Sequence, residues 1–190
     1  GRWGIINIIS EKKSTGLTSS SIKNSSLQIS KLEKLQNGII MALTTTGLYQ
    51  LKDSLFIKVP IKGLSDTSIY CLANSNDGSY VIGTKGSIYK IKNNTVIDKI
   101  QIDIAGNNDV VAILCDRNNN IWFSIMNKGF YFLASGSDKI IDMGSKLGLQ
   151  NMLVNNYFED TEGNIWISTF GKGVYCLNNL YLMSYNESDG

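Results

Sequence analysis

Short apolar runs recur along the chain, separated by turns rich in glycine, asparagine and aspartate. The segment 152–185 shows the unit most clearly. Residues 152–159 read as a mostly apolar strand, and Asp160-Thr161-Glu162-Gly163 as a tight turn. Residues 164–169 then alternate, with Ile165 and Ile167 on one face and Trp166 on the other. Phe170-Gly171-Lys172-Gly173 turns the chain into a third strand, 174–177. Asn178-Asn179 leads to a fourth, 180–185. No stretch carries the 3.6-residue period of an amphipathic helix.

The unit repeats. The run Asp160 to Thr169 matches Asp116-Arg117-Asn118-Asn119-Asn120-Ile121-Trp122-Phe123-Ser124 closely. It matches Asn76 to Thr84 and Gln36 to Thr44 more loosely. In this alignment the bulky residues are Ile40, Tyr80, Trp122 and Trp166, at steps of 40, 42 and 44. Each match is followed by a small-residue turn and a short strand holding Tyr49, Tyr89, Tyr131 or Tyr175. Gly16-Leu17, Gly63-Leu64 and Gly148-Leu149 give a third marker, with Gly106-Asn107 in the remaining slot; their steps are 47, 43 and 42.

Four short antiparallel strands per period of that length predict propeller blades. The expected fold class is therefore all-β, a β-propeller segment of four-stranded antiparallel blades. Residues 17–63, 64–106, 107–148 and 149–190 are the expected blades of one propeller domain. Residues 6–16 align with 180–190 at the end of the chain, so residues 1–16 read as the outer strand of a preceding blade. Both ends fall at blade junctions, so a piece of a larger ring is expected. The middle strands carry large residues in both directions, as blades stacked on both sides require. Trp122 and Trp166 are expected between blades, and Pro60 on an outer strand, where a missing N–H costs least.

Composition narrows the chemistry. The 190 residues carry a net charge of +2, with no basic field of the size nucleic-acid binding needs. There is no apolar run long enough to span a bilayer. Cys71, Cys115 and Cys176 sit inside apolar runs and read as buried free thiols; no CxxC occurs. The chain has no histidine, so a serine would lack its usual general base, and no phospho-accepting histidine lies here. Asp116, Asp160 and Glu162 recur at turns and read as turn formers rather than a glycosidase pair. Asp116-Arg117-Asn118-Asn119-Asn120 lacks the central glycine and terminal glutamate of a calcium loop. No catalytic residue, metal or cofactor is expected.

The pattern Gly-Leu, then Asp-x-x-Gly-Asn-Ile-Trp-Ile-x-Thr, then Gly-x-Gly-Val-Tyr resembles the two-component regulator propeller repeat. Residues 148–177 carry it almost completely, and 107–133 carry it with Asn119 in place of the glycine. Residues 64–91 and 17–51 are degenerate and lack the tryptophan. The resemblance implies a seven-bladed ring in the periplasmic sensor region of a hybrid two-component histidine kinase and response regulator. It further implies an oligosaccharide ligand, a homodimer through the full ectodomain, and a membrane connection through other segments. A structural or protein-interaction propeller without a small ligand is the alternative.

In a blade whose strands run A to D outward, the D–A connections and B–C turns share one face. Propeller ligands usually meet that face. The residues expected to contact ligand are Asp66, Thr67, Asn107, Asn108 and Asn151 from connections, and Lys128, Phe170 and Lys172 from B–C turns. Thr45, Thr46 and Lys85 occupy the other B–C turns. These groups both donate to and accept from sugar hydroxyls or a sugar carboxylate.

Overall fold

The computed structural model describes residues 6–10, 13–17, 29–53, 55–64, 68–178 and 182–185. Strand β1 (Ile6–Ser10), within the segment expected to supply an outer strand, pairs antiparallel with β2 (Lys13–Leu17). Four four-stranded antiparallel sheets follow, each in chain order. Blade 1 comprises β3 (Ile29–Lys34), β4 (Ile40–Thr44), β5 (Gly47–Lys52) and β6 (Leu55–Lys58). Blade 2 comprises β7 (Cys71–Asn74), β8 (Tyr80–Gly83), β9 (Ser87–Lys92) and β10 (Thr95–Gln101). Blade 3 comprises β11 (Val110–Cys115), β12 (Ile121–Ile125), β13 (Gly129–Leu133) and β14 (Ile140–Asp142). Blade 4 comprises β15 (Val154–Glu159), β16 (Ile165–Thr169), β17 (Val174–Leu177) and β18 (Leu182–Tyr185). The first strands lie side by side, β3 against β7, β7 against β11, and β11 against β15, so they are the inner strands.

The seven-bladed ring is corrected. The described residues form four four-stranded blades and no further four-stranded sheet. Each repeat yields one blade, and the sequence holds four repeats.

Alternation along each strand sends side chains to the two neighbouring blades. One buried cluster joins blades 1 and 2 through Met41, Leu43, Leu48, Leu72, Tyr80 and Ile82. A second joins blades 2 and 3 through Val81, Ile88, Phe123, Ile125 and Tyr131. A third joins blades 3 and 4 through Ala112, Trp122, Phe130, Tyr157, Ile165 and Ile167. The recurrent tyrosines Tyr89, Tyr131 and Tyr175 all join the cluster shared with the preceding blade.

Strand register corrects the repeat alignment by one residue. Tyr49, Tyr89, Tyr131 and Tyr175 pair with Ala42, Ile82, Phe123 and Ile167. The equivalents of Trp122 and Trp166 are thus Met41 and Val81, not Ile40 and Tyr80. A one-residue slip exchanges the two faces, and Tyr80 duly joins the cluster with blade 1 while Val81 joins the cluster with blade 3. Trp122 is buried between blades 3 and 4, whereas Trp166 is only half-buried, on the face of blade 4 opposite the Ile165 and Ile167 cluster.

The Gly-Leu marker has a packing cause. Gly63 and Gly148 take φ of +85° and +71°, which glycine tolerates without strain, and each turns the connection. Leu64 and Leu149 then pack into the clusters between blades 1 and 2 and blades 3 and 4. The second connection holds a one-turn helix, α1 (Met143–Lys146), capped by Asp142, whose carboxylate accepts from the Ser145 N–H at 2.8 Å. One turn is too short to display a period, so no helical signal precedes it.

Blades 2 and 3 approach closely at Gly83. A Cβ there would stand 2.4 Å from Cys71 Sγ and 2.8 Å from Val110 Cγ1. Cys71 Sγ itself donates to the Val110 carbonyl at 3.2 Å, so it has no room to yield. Gly83→Ala is expected to lower stability by about 1–3 kcal/mol through overpacking. Gly78→Ala, in an open turn at φ +76°, should cost about 1 kcal/mol from backbone strain alone. Urea denaturation of the two variants checks the order; equal losses would contradict the close approach.

Candidate functional site

Backbone hydrogen bonds weld the D–A connections to the B–C turns. Val110 N–H donates to the Thr84 carbonyl at 3.0 Å and Gly86 N–H to the Asn108 carbonyl at 3.1 Å. Met126 N–H donates to Asp109 at 2.9 Å, and Phe170 N–H to Leu153 at 3.0 Å. The connections and turns therefore form one continuous face. Tyrosines brace it from below: Tyr131 hydroxyl donates to the Lys128 carbonyl at 3.0 Å, and Tyr49 and Thr46 hydroxyls lie 3.1 Å apart.

The expected contact residues distribute across this face rather than gathering at one point. Asn107 and Lys128 are exposed. Asn108 is half-buried and its amide donates to the Ala105 carbonyl at 2.9 Å, which orders its own loop. Asn151 is exposed at φ +55°, with its backbone nitrogen beside Gly129. Phe170 is 61% exposed, and exposed Lys172 follows it on the same turn. Asp66 and Thr67 lie outside the described residues.

A cleft of about 580 Å³ opens on the same face between blades 1 and 2. Ser30, Thr44, Thr45, Thr46, Ser68 and Tyr70 line it with hydroxyls, beside Ile69. Thr44 hydroxyl donates to the Gly47 carbonyl at 2.9 Å and accepts from Thr46 N–H at 3.1 Å, fixing the turn. Ser30 and Tyr70 are absent from the expected contacts. Tyr70 directly precedes an inner strand at the connection, and that position was its only signal. A second cleft, of about 410 Å³, runs along the outer parts of blades 2 and 3 and includes none of the expected contact residues.

The opposite face is occupied with holding itself together. Asp116 accepts from Asn118 N–H and Asn120 N–H, both at 2.9 Å, and from Trp122 Nε1 at 3.2 Å. Asp160 repeats the arrangement with Glu162 N–H, Asn164 N–H and Trp166 Nε1. Asp77 accepts from Ser79 and pairs with Lys90 at 2.6 Å. Adjacent turns are also tied: Gln36 to Asn76, Asn76 to Asn119 and Asp116, and Arg117 to Glu159 and Asp160. Carboxylates used this way are turn braces, not a catalytic pair.

The three cysteines are buried free thiols. Burial pushes both Cys71 and Cys115 up to about 12, far from thiolate reactivity. Among the described residues no group of three or more histidine, cysteine, aspartate or glutamate side chains could hold a metal. None of their helices is long and apolar enough to cross a membrane.

A family model for the two component regulator propeller matches residues 104–127 and 148–171. The chain carries two component regulator propeller repeats. They belong to blades 3 and 4. Solved structures share the fold. The extracellular domain assigned to a hybrid two component system of B. thetaiotaomicron superposes with a TM-score of 0.73 at 16% identity, over 98% of this chain and 26% of that one. The extracellular domain assigned to a one component system of the same organism gives 0.65 at 18%, over 94% and 24%. Virginiamycin B lyase from Staphylococcus aureus gives 0.72 at 15%, over 96% and 62%. The chain thus spans about a quarter of the length of the two signalling ectodomains. No curated protein matches it.

The turn carboxylate gives a pH signature. Hydrogen bonds from Trp166 Nε1, then from Asn164, hold Asp160 down at about 2. A depressed carboxylate contributes stability above its ordinary value of 3.8, and that contribution is lost as pH falls through its folded value. The Trp166 indole N–H resonance should therefore shift, and exchange faster with water, between about pH 4 and pH 2. Nitrogen–proton NMR checks it; an invariant resonance contradicts the brace.

Proposed function

We propose that this propeller is an extracytoplasmic, periplasmic sensor segment of a hybrid two-component signalling protein. Its ligand is an oligosaccharide held on the face built from B–C turns and D–A connections. The observation that carries the reading is the hydroxyl-lined cleft at Ser30, Thr44–Thr46, Ser68 and Tyr70. Hydroxyls both donate and accept, as sugar recognition requires, and an exposed aromatic ring offers an apolar platform beside them. Asn107, Asn108, Asn151, Lys128, Phe170 and Lys172 extend the same face, with Asp66 and Thr67 in the connection next to Ser68. The carboxylate-braced face opposite presents turns already engaged with one another.

A second reading, a protein-interaction or dimerisation propeller, draws on exposed Leu55 and Ile57 on β6 and Ile97 on β10. Sedimentation of the full ectodomain separates the two: a strict monomer counts against dimerisation. For the first reading, the ectodomain is screened by thermal shift against oligosaccharide pools. A pool that stabilises it is expected. Tyr70→Ala should then weaken binding about tenfold, a loss of one aromatic platform, with an unchanged melting temperature in the free state. No shift with any pool would count strongly against the reading.

A further inference from the structure

Every blade brings one lysine to its B–C turn. Lys85, Lys128 and Lys172 each precede the glycine at the end of the turn in blades 2, 3 and 4. Blade 1 has Thr46 in that slot, yet a lysine arrives there by another route. Lys58, from the outer strand β6, places its Cε 3.7 Å from where a Cβ on Gly47 would stand. All four side chains are exposed.

Among the described residues none of the four forms an ion pair. The ion pairs among the described residues are Lys31 with Glu33, Lys90 with Asp77, and Arg117 with Glu159. Among the described residues the acids in the connections on the lysine face are Asp103 and Asp109 in one and Asp142 in another; Asp66, in the connection before Ser68, lies outside the described residues. Asp142 is committed to capping α1 through Ser145, and neither Asp103 nor Asp109 comes within ion-pair distance of a lysine. The aspartates that recur in the repeats, Asp77, Asp116 and Asp160, sit on the opposite face, where they brace turns. In blades 2, 3 and 4 the A–B turns thus carry aspartates and the B–C turns carry lysines that form no ion pair among the described residues. A net charge of only +2 conceals this separation.

We infer that the ligand of this face is a linear polyanion, an acidic oligosaccharide whose carboxylate or sulfate groups span successive blades. The inference rests on the proposed function for the location of the site and deepens it to a ligand class. An ammonium group on a flexible stem suits such a ligand, since it meets an anion as a point charge without demanding one geometry. The hydroxyl cleft between blades 1 and 2 would take the ring hydroxyls beside those charges.

The test is a titration of the full ectodomain with oligogalacturonate, chondroitin sulfate oligosaccharides, methyl-esterified oligogalacturonate and maltohexaose. The first two separate carboxylate from sulfate recognition; the third keeps the carbohydrate backbone and removes its charge. Binding of an acidic probe, weakening as salt rises, is expected. The variant Lys85→Gln, Lys128→Gln, Lys172→Gln should weaken it by about tenfold or more, from roughly threefold per exposed charge. Its melting temperature should match the parent, since these side chains brace nothing. Arg117→Gln, on the opposite face, should leave affinity unchanged. Equal binding of the neutral and acidic probes, or an acidic ligand indifferent to salt and to the triple variant, overturns the inference and leaves a neutral-sugar face standing. Binding by none of the four probes overturns the inference, and the oligosaccharide-pool screen then decides the fate of the wider reading.

Discussion

A four-stranded blade has two apolar faces and no interior of its own. This constraint organises everything else in the chain. Phe123, Ile125 and Tyr131 have to meet blade 2, while Trp122 and Phe130 on the same sheet have to meet blade 4. Burying a side chain as large as Phe123 contributes several kcal/mol, about 3–5 by the usual cost of truncating it. The polar ties between neighbouring turns are exposed or part-buried, and each contributes far less. The ties set spacing; the clusters hold the blades together. At Gly83 the approach is so close that no side chain can intervene.

Once the strands are committed to packing, only the turns remain free to differ, and the two ends of the blade use them differently. At the A–B turns of blades 2, 3 and 4 an aspartate folds back onto the following N–H groups and, in blades 3 and 4, onto a tryptophan indole; in blade 1 the Asn37 side chain accepts instead from the Ile39 N–H. The carboxylate is satisfied locally, and the turn becomes part of the frame. At B–C turns the chain reverses through positive-φ glycine or asparagine, and backbone bonds to the neighbouring connection supply the order. Side chains such as Lys128 and Phe170 are then left projecting. At one end the side chains are bound into the frame; at the other the backbone supplies the frame and side chains project from it.

Much of this was legible in the sequence. The strand pattern of residues 152–185 corresponds to the strands of blade 4; Tyr89, Tyr131 and Tyr175 pack on the preceding blade, and Gly63-Leu64 and Gly148-Leu149 are turns that feed a leucine between blades, whereas Gly16-Leu17 lies within β2. The error at Tyr80 is instructive. Residue size suggested that it shared a slot with Trp122, but in an alternating strand the neighbour Val81 occupies the equivalent position. Size is a property of one residue; facing is a property of register, which only pairing reveals. Blade number was read from a family resemblance and failed where the repeat count itself was right. The contact face was predicted from topology, and its turns and connections do meet. The cleft was not, because Ser30 and Tyr70 come from opposite sides of a blade junction and no local pattern joins them. The lysine at blade 1 was hidden for the same reason: Lys58 is distant in sequence from the turn it overhangs.

The central claim is that the two ends of the blades have different tasks, one bracing the fold and one meeting ligand. Lysine acetylation read by mass spectrometry, with and without bound oligosaccharide, tests this most directly. The account predicts protection at Lys58, Lys85, Lys128 and Lys172, with Lys92 at an A–B and C–D end unaltered. Protection confined to the A–B end, with those four lysines modified as in the free protein, would contradict it.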